Sequence, residues 1–213
     1  MDVLTHFIDI MLHLNVYLGQ WISDYGAWTY ALLFLIIFLE TGIVVTPFLP
    51  GDSLLFAAGT LFATSTLDVH GLVFLLIFAA FCGDNTNYWI GRFLGPKVFQ
   101  YDSKWLNKKH LARTHAFYEK YGTKTLIIAR FVPIVRTFAP FVAGVGTMPY
   151  RKFISVSVIA AIIWVCALIY LGYFFGNIPH VQQNFSLVIA VIIVLSILPM
   201  LIELFKAIRK RRA

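Results

Sequence analysis

The chain has 213 residues, of which 60% are hydrophobic and only 13% charged, with a formal net charge of +7 and a mean hydropathy of +0.80. A soluble domain carries roughly a quarter charged residues, so this composition excludes an ordinary soluble protein and defines an integral membrane protein. The apolar runs are continuous rather than alternating, against a membrane β-barrel. Their length, set against a hydrocarbon core of about 30 Å, predicts an all-α helical bundle over residues 1–213 as one membrane domain.

In chain order, residues 2–22 place Asp2, His6, Asp9 and His13 among apolar positions at helical spacing. This pattern fits an amphipathic interfacial helix or a short polar-faced span, and the residues do not choose between them. No cleavable signal peptide is expected, because this run lacks a basic start and polar residues interrupt it. Residues 25–62 read as a strongly apolar helix over 25–39, with Trp28 and Tyr30 near one end, that runs into Glu40, followed by a first re-entrant segment broken at Gly42, Pro47, Pro50 and Gly51. Proline and glycine inside an apolar run mark a broken segment rather than a clean span.

A polar turn at 63–70 leads to a span over 71–95. Its Gly91 and Gly95 form a small-xxx-small pair that allows close helix packing. Residues 97–124 are rich in Lys, Arg and His with apolar residues between, as in a helix lying on the cytoplasmic surface. A second broken segment, 125–148, carries Pro133 and Pro140; spans over 150–176 and 185–205 and a basic tail at 206–213 complete the chain. Gly172 and Gly176 echo Gly91 and Gly95. The two broken segments overlay at an offset of about ninety positions, which sets Glu40 on Arg130, Phe48 on Phe138 and Pro50 on Pro140.

Charge placement gives orientation. Every Lys and Arg lies at or after Arg92, whereas seven of the ten acids precede it, a distribution set by the membrane and not by nucleic acid. The basic stretch 97–124, Arg151 with Lys152, and the terminal RKRR should all be cytoplasmic. Segment 125–148 must then enter and leave from that side as a re-entrant hairpin. Segment 41–62 would dip in from the opposite face, in an inverted-repeat arrangement of the kind found in secondary transporters.

A charge at membrane depth costs at least about 2.5–3.5 kcal/mol on insertion scales and normally has a task. Five such residues stand out: Glu40, Asp52, Asp84, Arg130 and Arg136; Arg92 lies close enough to the cytoplasmic end to snorkel. The guanidinium forks of Arg130 and Arg136 suit an anionic phosphate headgroup; each could equally neutralise an acid of the other broken segment. Glu40 and Asp52 are acids whose desolvation favours proton exchange. The plainer readings are an ion pair for Glu40 and a helix N-cap for Asp52, in Pro-Gly-Asp-Ser. Asp84 beside Asn85 and Asn87 reads as a local hydrogen-bonding group, so Asp84 and Arg92 are accessory candidates, and Tyr88 and Tyr173 read as packing residues.

Cys82 and Cys166 stand singly in apolar runs and read as core residues; neither a disulfide nor a metal site is expected. His110 and His115 lack metal-ligand spacing, and no nucleophile elbow, zinc-protease or phosphate-loop motif occurs. Neither an enzyme nor a cofactor is expected, and a monomer and a homo-oligomer are both left open.

The runs FLETGIVVTPFLPGDSLLFAAG, GDNTNYWIGRFLG, YEKYGTKTLIIARFVPIVRTFAPFVAGVGTMPY and GYFFG resemble the bacterial DedA family, part of the wider VTT, or SNARE-associated Golgi protein, superfamily. The resemblance covers nearly the whole chain. It implies a multi-pass protein of the bacterial inner membrane with two opposed re-entrant hairpins. It also implies links to lipid homeostasis and the proton motive force and, in some branches, translocation of undecaprenyl phosphate or phospholipids between leaflets. The family's functional acids match Glu40 and Asp52, and its arginines match Arg130 and Arg136. The leading expectation is a lipid translocase in which the arginines hold the headgroup and the acids exchange protons. The alternatives are a proton-coupled exporter or antiporter of small cations or drugs, and a membrane scaffold or assembly factor.

Overall fold

The computed structural model describes residues 14–43, 51–100, 133–146 and 148–178, with 187, 188 and 191. Among them six helices are defined: α1 (Leu14–Tyr25), α2 (Trp28–Gly42), α3 (Gly51–Thr64), α4 (Val69–Gln100), α5 (Pro133–Val145) and α6 (Tyr150–Gly176). No strand occurs among the described residues. The surface stretch 97–124 falls mostly, and the span 185–205 almost wholly, outside the described residues, as do residues 2–13, Pro47, Pro50 and Arg130.

Local chemistry sets the helix ends. Gly26 takes a left-handed φ of 50°, which glycine adopts without a Cβ penalty. Its N–H closes on Ile22 O at 3.0 Å, ending α1 so that α2 can begin two residues later. Asp68 caps α4: Oδ1 accepts from the His70 N–H at 3.0 Å and Oδ2 from the Gly71 N–H at 2.8 Å, satisfying donors that a helix start leaves open. Those two bonds hold the Asp68 carboxyl below its ordinary value. The Pro149 carbonyl accepts from Lys152 and Phe153 to start α6.

Helix lengths sort the elements. Val69–Gly95 of α4 and all of α6 are apolar over 27 residues each, about 40 Å at 1.5 Å per residue, enough to cross a bilayer core of about 30 Å. With 14 residues in α3 and 13 in α5, these two reach only about 20 Å. Large apolar side chains on the long helices face outward, Phe74, Phe78 and Phe93 on α4 and Phe174 on α6, as expected where lipid is the solvent.

The chain forms two compact units. The first comprises residues 1–36, 48–76 and 165–213, and the second 37–47 and 77–164. In the first unit the core gathers Leu18, Leu33, Leu55, Phe62, Leu72 and Ile169. Tyr30 packs edge-on against Phe62 and donates its hydroxyl to Asp68 O at 2.8 Å. There α3 lies so close to α6 that a Cβ on Gly59 would collide with Ile169 O, and one on Gly172 with Phe56 O. Thr60 donates across this crossing to Gly172 O at 3.0 Å.

The second unit repeats the motif with other helices. A Cβ on Gly144 of α5 would collide with Tyr88 O, and one on Gly91 of α4 with Phe141 O. Tyr88, fully buried, stacks on Phe153 at 4.4 Å and donates to Met148 O at 2.6 Å. The equivalent contacts are Phe56 with Phe141 and Gly59 with Gly144, both eighty-five positions apart, in the related runs FAAG and FVAG. Around these glycines the internal repeat runs in a register of eighty-five. Backbone contact, which only glycine permits, sets this local equivalence.

Candidate functional site

The second unit buries a charged cluster. Glu40 stands in the last turn of α2 and Arg136 in the early part of α5. A helix C-terminus repels an anion and an N-terminus repels a cation, so each charge occupies the unfavourable end of its helix and the pairing offsets both. Arg136 Nη2 meets Glu40 Oε1 at 2.5 Å, with the side chains only 5% and 1% exposed. The guanidinium also lies over the Trp164 ring, 4.5 Å from its centre, a cation–π contact that strengthens when desolvated.

Asn87 of α4 fixes the backbone on both sides of this pair. Its Nδ2 donates to Thr41 O at 3.1 Å and to Thr137 O at 2.7 Å, the residues that directly follow Glu40 and Arg136. Close approach of α2 to α4 requires Gly83, whose Cβ would otherwise strike the Thr41 hydroxyl. One turn of α4 away, Asp84, 2% exposed, accepts from Ser157 Oγ of α6 at 2.5 Å. Asp84, Ser157, Arg136 and Pro140 line a cavity of about 10 Å³, close to the least space that one water needs.

The predicted residues fall out as follows. Glu40 and Arg136 come together, and the ion pair read for Glu40, with an arginine neutralising an acid of the other broken segment, is what they form. Arg130 is outside the described residues. Asp52 lies half-buried one residue inside the start of α3; the cap position read for it is thus displaced inward, to where a carboxylate still suits the helix dipole. Gly51 opens α3 and Pro133 opens α5, where a missing N–H costs little. Arg92 is exposed and donates Nη1 to Tyr88 Oη at 2.9 Å. Asp84 reaches beyond its own helix, accepting a hydrogen bond from Ser157 of α6.

Sequence reasoning missed Asn87, Ser157 and Trp164. Asn87 had a signal: Asp84 and Asn87 are three apart, on one face of an otherwise apolar helix. Trp164 had one too, as a tryptophan in mid-span rather than in an interface belt. A lone serine such as Ser157 gave none. Among the described residues, no cluster of His, Cys, Asp and Glu could hold a metal ion.

These features define a helical membrane protein that carries a buried acid–arginine site at the ends of short helices. The VTT domain family matches residues 49–174. Protein DedA of Escherichia coli (strain K12) is 56% identical over 216 aligned residues, covering 100% of this chain and 97% of that one. Uncharacterized membrane protein Rv0364 of Mycobacterium tuberculosis is 40% identical over 90% of this chain and 87% of its own length. Inner membrane protein YqjA of E. coli is 36% identical over 70% and 69%. No solved structure matches. The chain belongs to the DedA family of VTT-domain membrane proteins.

Proposed function

We propose that this protein transports an anionic lipid, such as undecaprenyl phosphate or a phospholipid, between leaflets of a bacterial inner membrane, with proton exchange driving or gating the movement. The observation that carries the reading is the Glu40–Arg136 pair, buried inside a membrane protein at the ends of helices. A headgroup phosphate offers Arg136 the same bidentate acceptor geometry as the carboxylate it would displace. Protonation of Glu40 would release the guanidinium, and return of the proton to water would restore the pair. On this reading Arg130 is a second headgroup ligand and Asp52 a second proton carrier.

The shortness of α3 and α5, each about 20 Å, supports re-entrant segments that stop inside the bilayer, in an inverted arrangement with the C-terminus cytoplasmic by the positive-inside rule. The inner-membrane assignment is supported by the name of the YqjA relative. The working group is a charge pair and no chemical step on the lipid is invoked, so the protein acts as a carrier, not an enzyme.

The test is reconstitution with headgroup-labelled lipid. Wild type should move label between leaflets, and Arg136→Ala and Glu40→Ala should slow it at least tenfold; transport at the wild-type rate in both variants would refute the reading. A second reading, a proton-coupled exporter of small cations or drugs, draws on the acids Glu40 and Asp84, both buried among the described residues. Arg136→Lys separates the two, because a phosphate fork suffers when guanidinium becomes ammonium whereas a purely structural charge survives.

A further inference from the structure

Arg136 shares its cavity with a second acidic residue, Asp84. Asp84 and Ser157 reach it from α4 and α6, and both are buried. A buried carboxylate and a guanidinium that line one low-dielectric cavity attract each other strongly. The helix that carries Arg136 is also weakened at that residue. Pro140 lies four positions on, inside α5; it has no N–H to give the Arg136 carbonyl, and its ring crowds that carbonyl. Arg136 therefore sits where α5 bends most readily, between one acid it already holds and another across a water-sized gap.

We propose that Asp84, oriented by Ser157, is the alternate partner of Arg136, and that the guanidinium exchanges between Glu40 and Asp84 across this cavity. Ser157 is a positioning residue: it lines the same cavity, and its hydroxyl donates to Asp84 Oδ2 and restrains that carboxylate. The use of this exchange in moving a headgroup rests on the transport reading above, but the pairing itself does not. While Asp84 holds the guanidinium, Glu40 is free to take up or lose a proton without leaving a lone buried cation. That removes the main electrostatic obstacle to breaking the pair.

The experiment is a double-mutant cycle on purified full-length protein in detergent, read as thermal unfolding of wild type, Glu40→Gln, Asp84→Asn and the double variant, each repeated with Arg136→Met. If Asp84 is the alternate partner, each single change leaves Arg136 the other acid of this pair. The double variant should then lose about 5 °C more than the sum of the singles, the size of shift that coupling between neighbouring groups gives in a chain of this length. The excess should vanish with Arg136→Met. Additive shifts, or an excess that persists without Arg136, overturn the proposal. If the double variant folds only when Arg136 is replaced, the pairing is supported; if it folds in neither background, the acids serve some other group and the pairing is overturned.

A lipid-transport arm tests the functional use. Where wild type transports, Asp84→Asn should lose at least tenfold and Asp84→Glu should restore most of it, whereas full transport by Asp84→Asn overturns the exchange as a transport step. If wild type moves no lipid, the transport reading falls, and the thermal cycle still decides the pairing.

Discussion

Arg136→Met cuts the buried pair on one side. It leaves the Glu40 carboxylate 1% exposed, with its guanidinium partner gone and the cation–π contact to Trp164 lost. Breaking a buried ion pair from one side costs about 3–5 kcal/mol. In a chain of this size each kcal/mol lowers the Tm by about 2–4 °C, so the variant should melt about 6–20 °C below wild type. Adding Glu40→Leu removes the stranded charge, and replacing both partners of a buried pair by apolar residues is often neutral or stabilising. The double variant should therefore recover most of the loss. Thermal unfolding of the purified proteins in one detergent measures both steps. A loss below about 2 °C in Arg136→Met, or a double variant no more stable than the single, would mean that the pair does not carry the electrostatics assigned to it.

The glycine crossings give a matched pair of tests. Gly91→Ala in one unit and Gly172→Ala in the other each drive a Cβ into a backbone carbonyl, an overpacking cost of about 1–3 kcal/mol. Both should lower the Tm by similar amounts, although alanine is the better helix former by about 1 kcal/mol. Gly19→Ala, whose Cβ meets nothing within 4 Å, should be neutral or stabilising; a loss there equal to the others would refute the close-approach argument. Asp68 gives the pH dependence: its folded carboxyl lies below the ordinary 3.8 because the His70 and Gly71 N–H groups bond the ionised form. Its capping contribution is fully present above that ordinary value and fades as pH falls through the lowered one. The Tm gap between wild type and Asp68→Ala should thus be constant near neutrality and narrow only in acid below about pH 4; a gap that widens in acid contradicts the cap.

Much of the site was legible because membrane depth makes charge conspicuous. Glu40 and Arg136 stood out as ionisable residues in apolar, proline-broken runs, and the resemblance of their segments to the DedA family pointed to the same residues. That each would need an opposite charge followed from the cost of leaving a charge buried alone. Asp84 was undervalued because its neighbours in sequence, Asn85 and Asn87, offered a local explanation, whereas its partner Ser157 lies 73 residues away. Asn87 was passed over for a similar reason. Its importance lies in reaching Thr41 and Thr137, two carbonyls from distant helices, and no composition or period encodes that meeting. The internal repeat was visible in the proline-broken runs, whereas the eighty-five-residue equivalence of Gly59 and Gly144 rests on contacts with other helices.

The sequence by itself determined that this is an all-helical membrane protein of the DedA family, where its two long described spans lie, and which charges are costly enough to need a purpose. Those properties depend on hydropathy, length and local breaker residues, all of which are written along the chain. Only the tertiary structure decided that Glu40 takes Arg136, that Asn87 holds the backbone beside both, and that Asp84 with Ser157 lines the same cavity as Arg136. These are meetings of side chains far apart in sequence. Their geometry is set by how closely glycine lets helices approach, a property of the packed pair that neither helix carries alone.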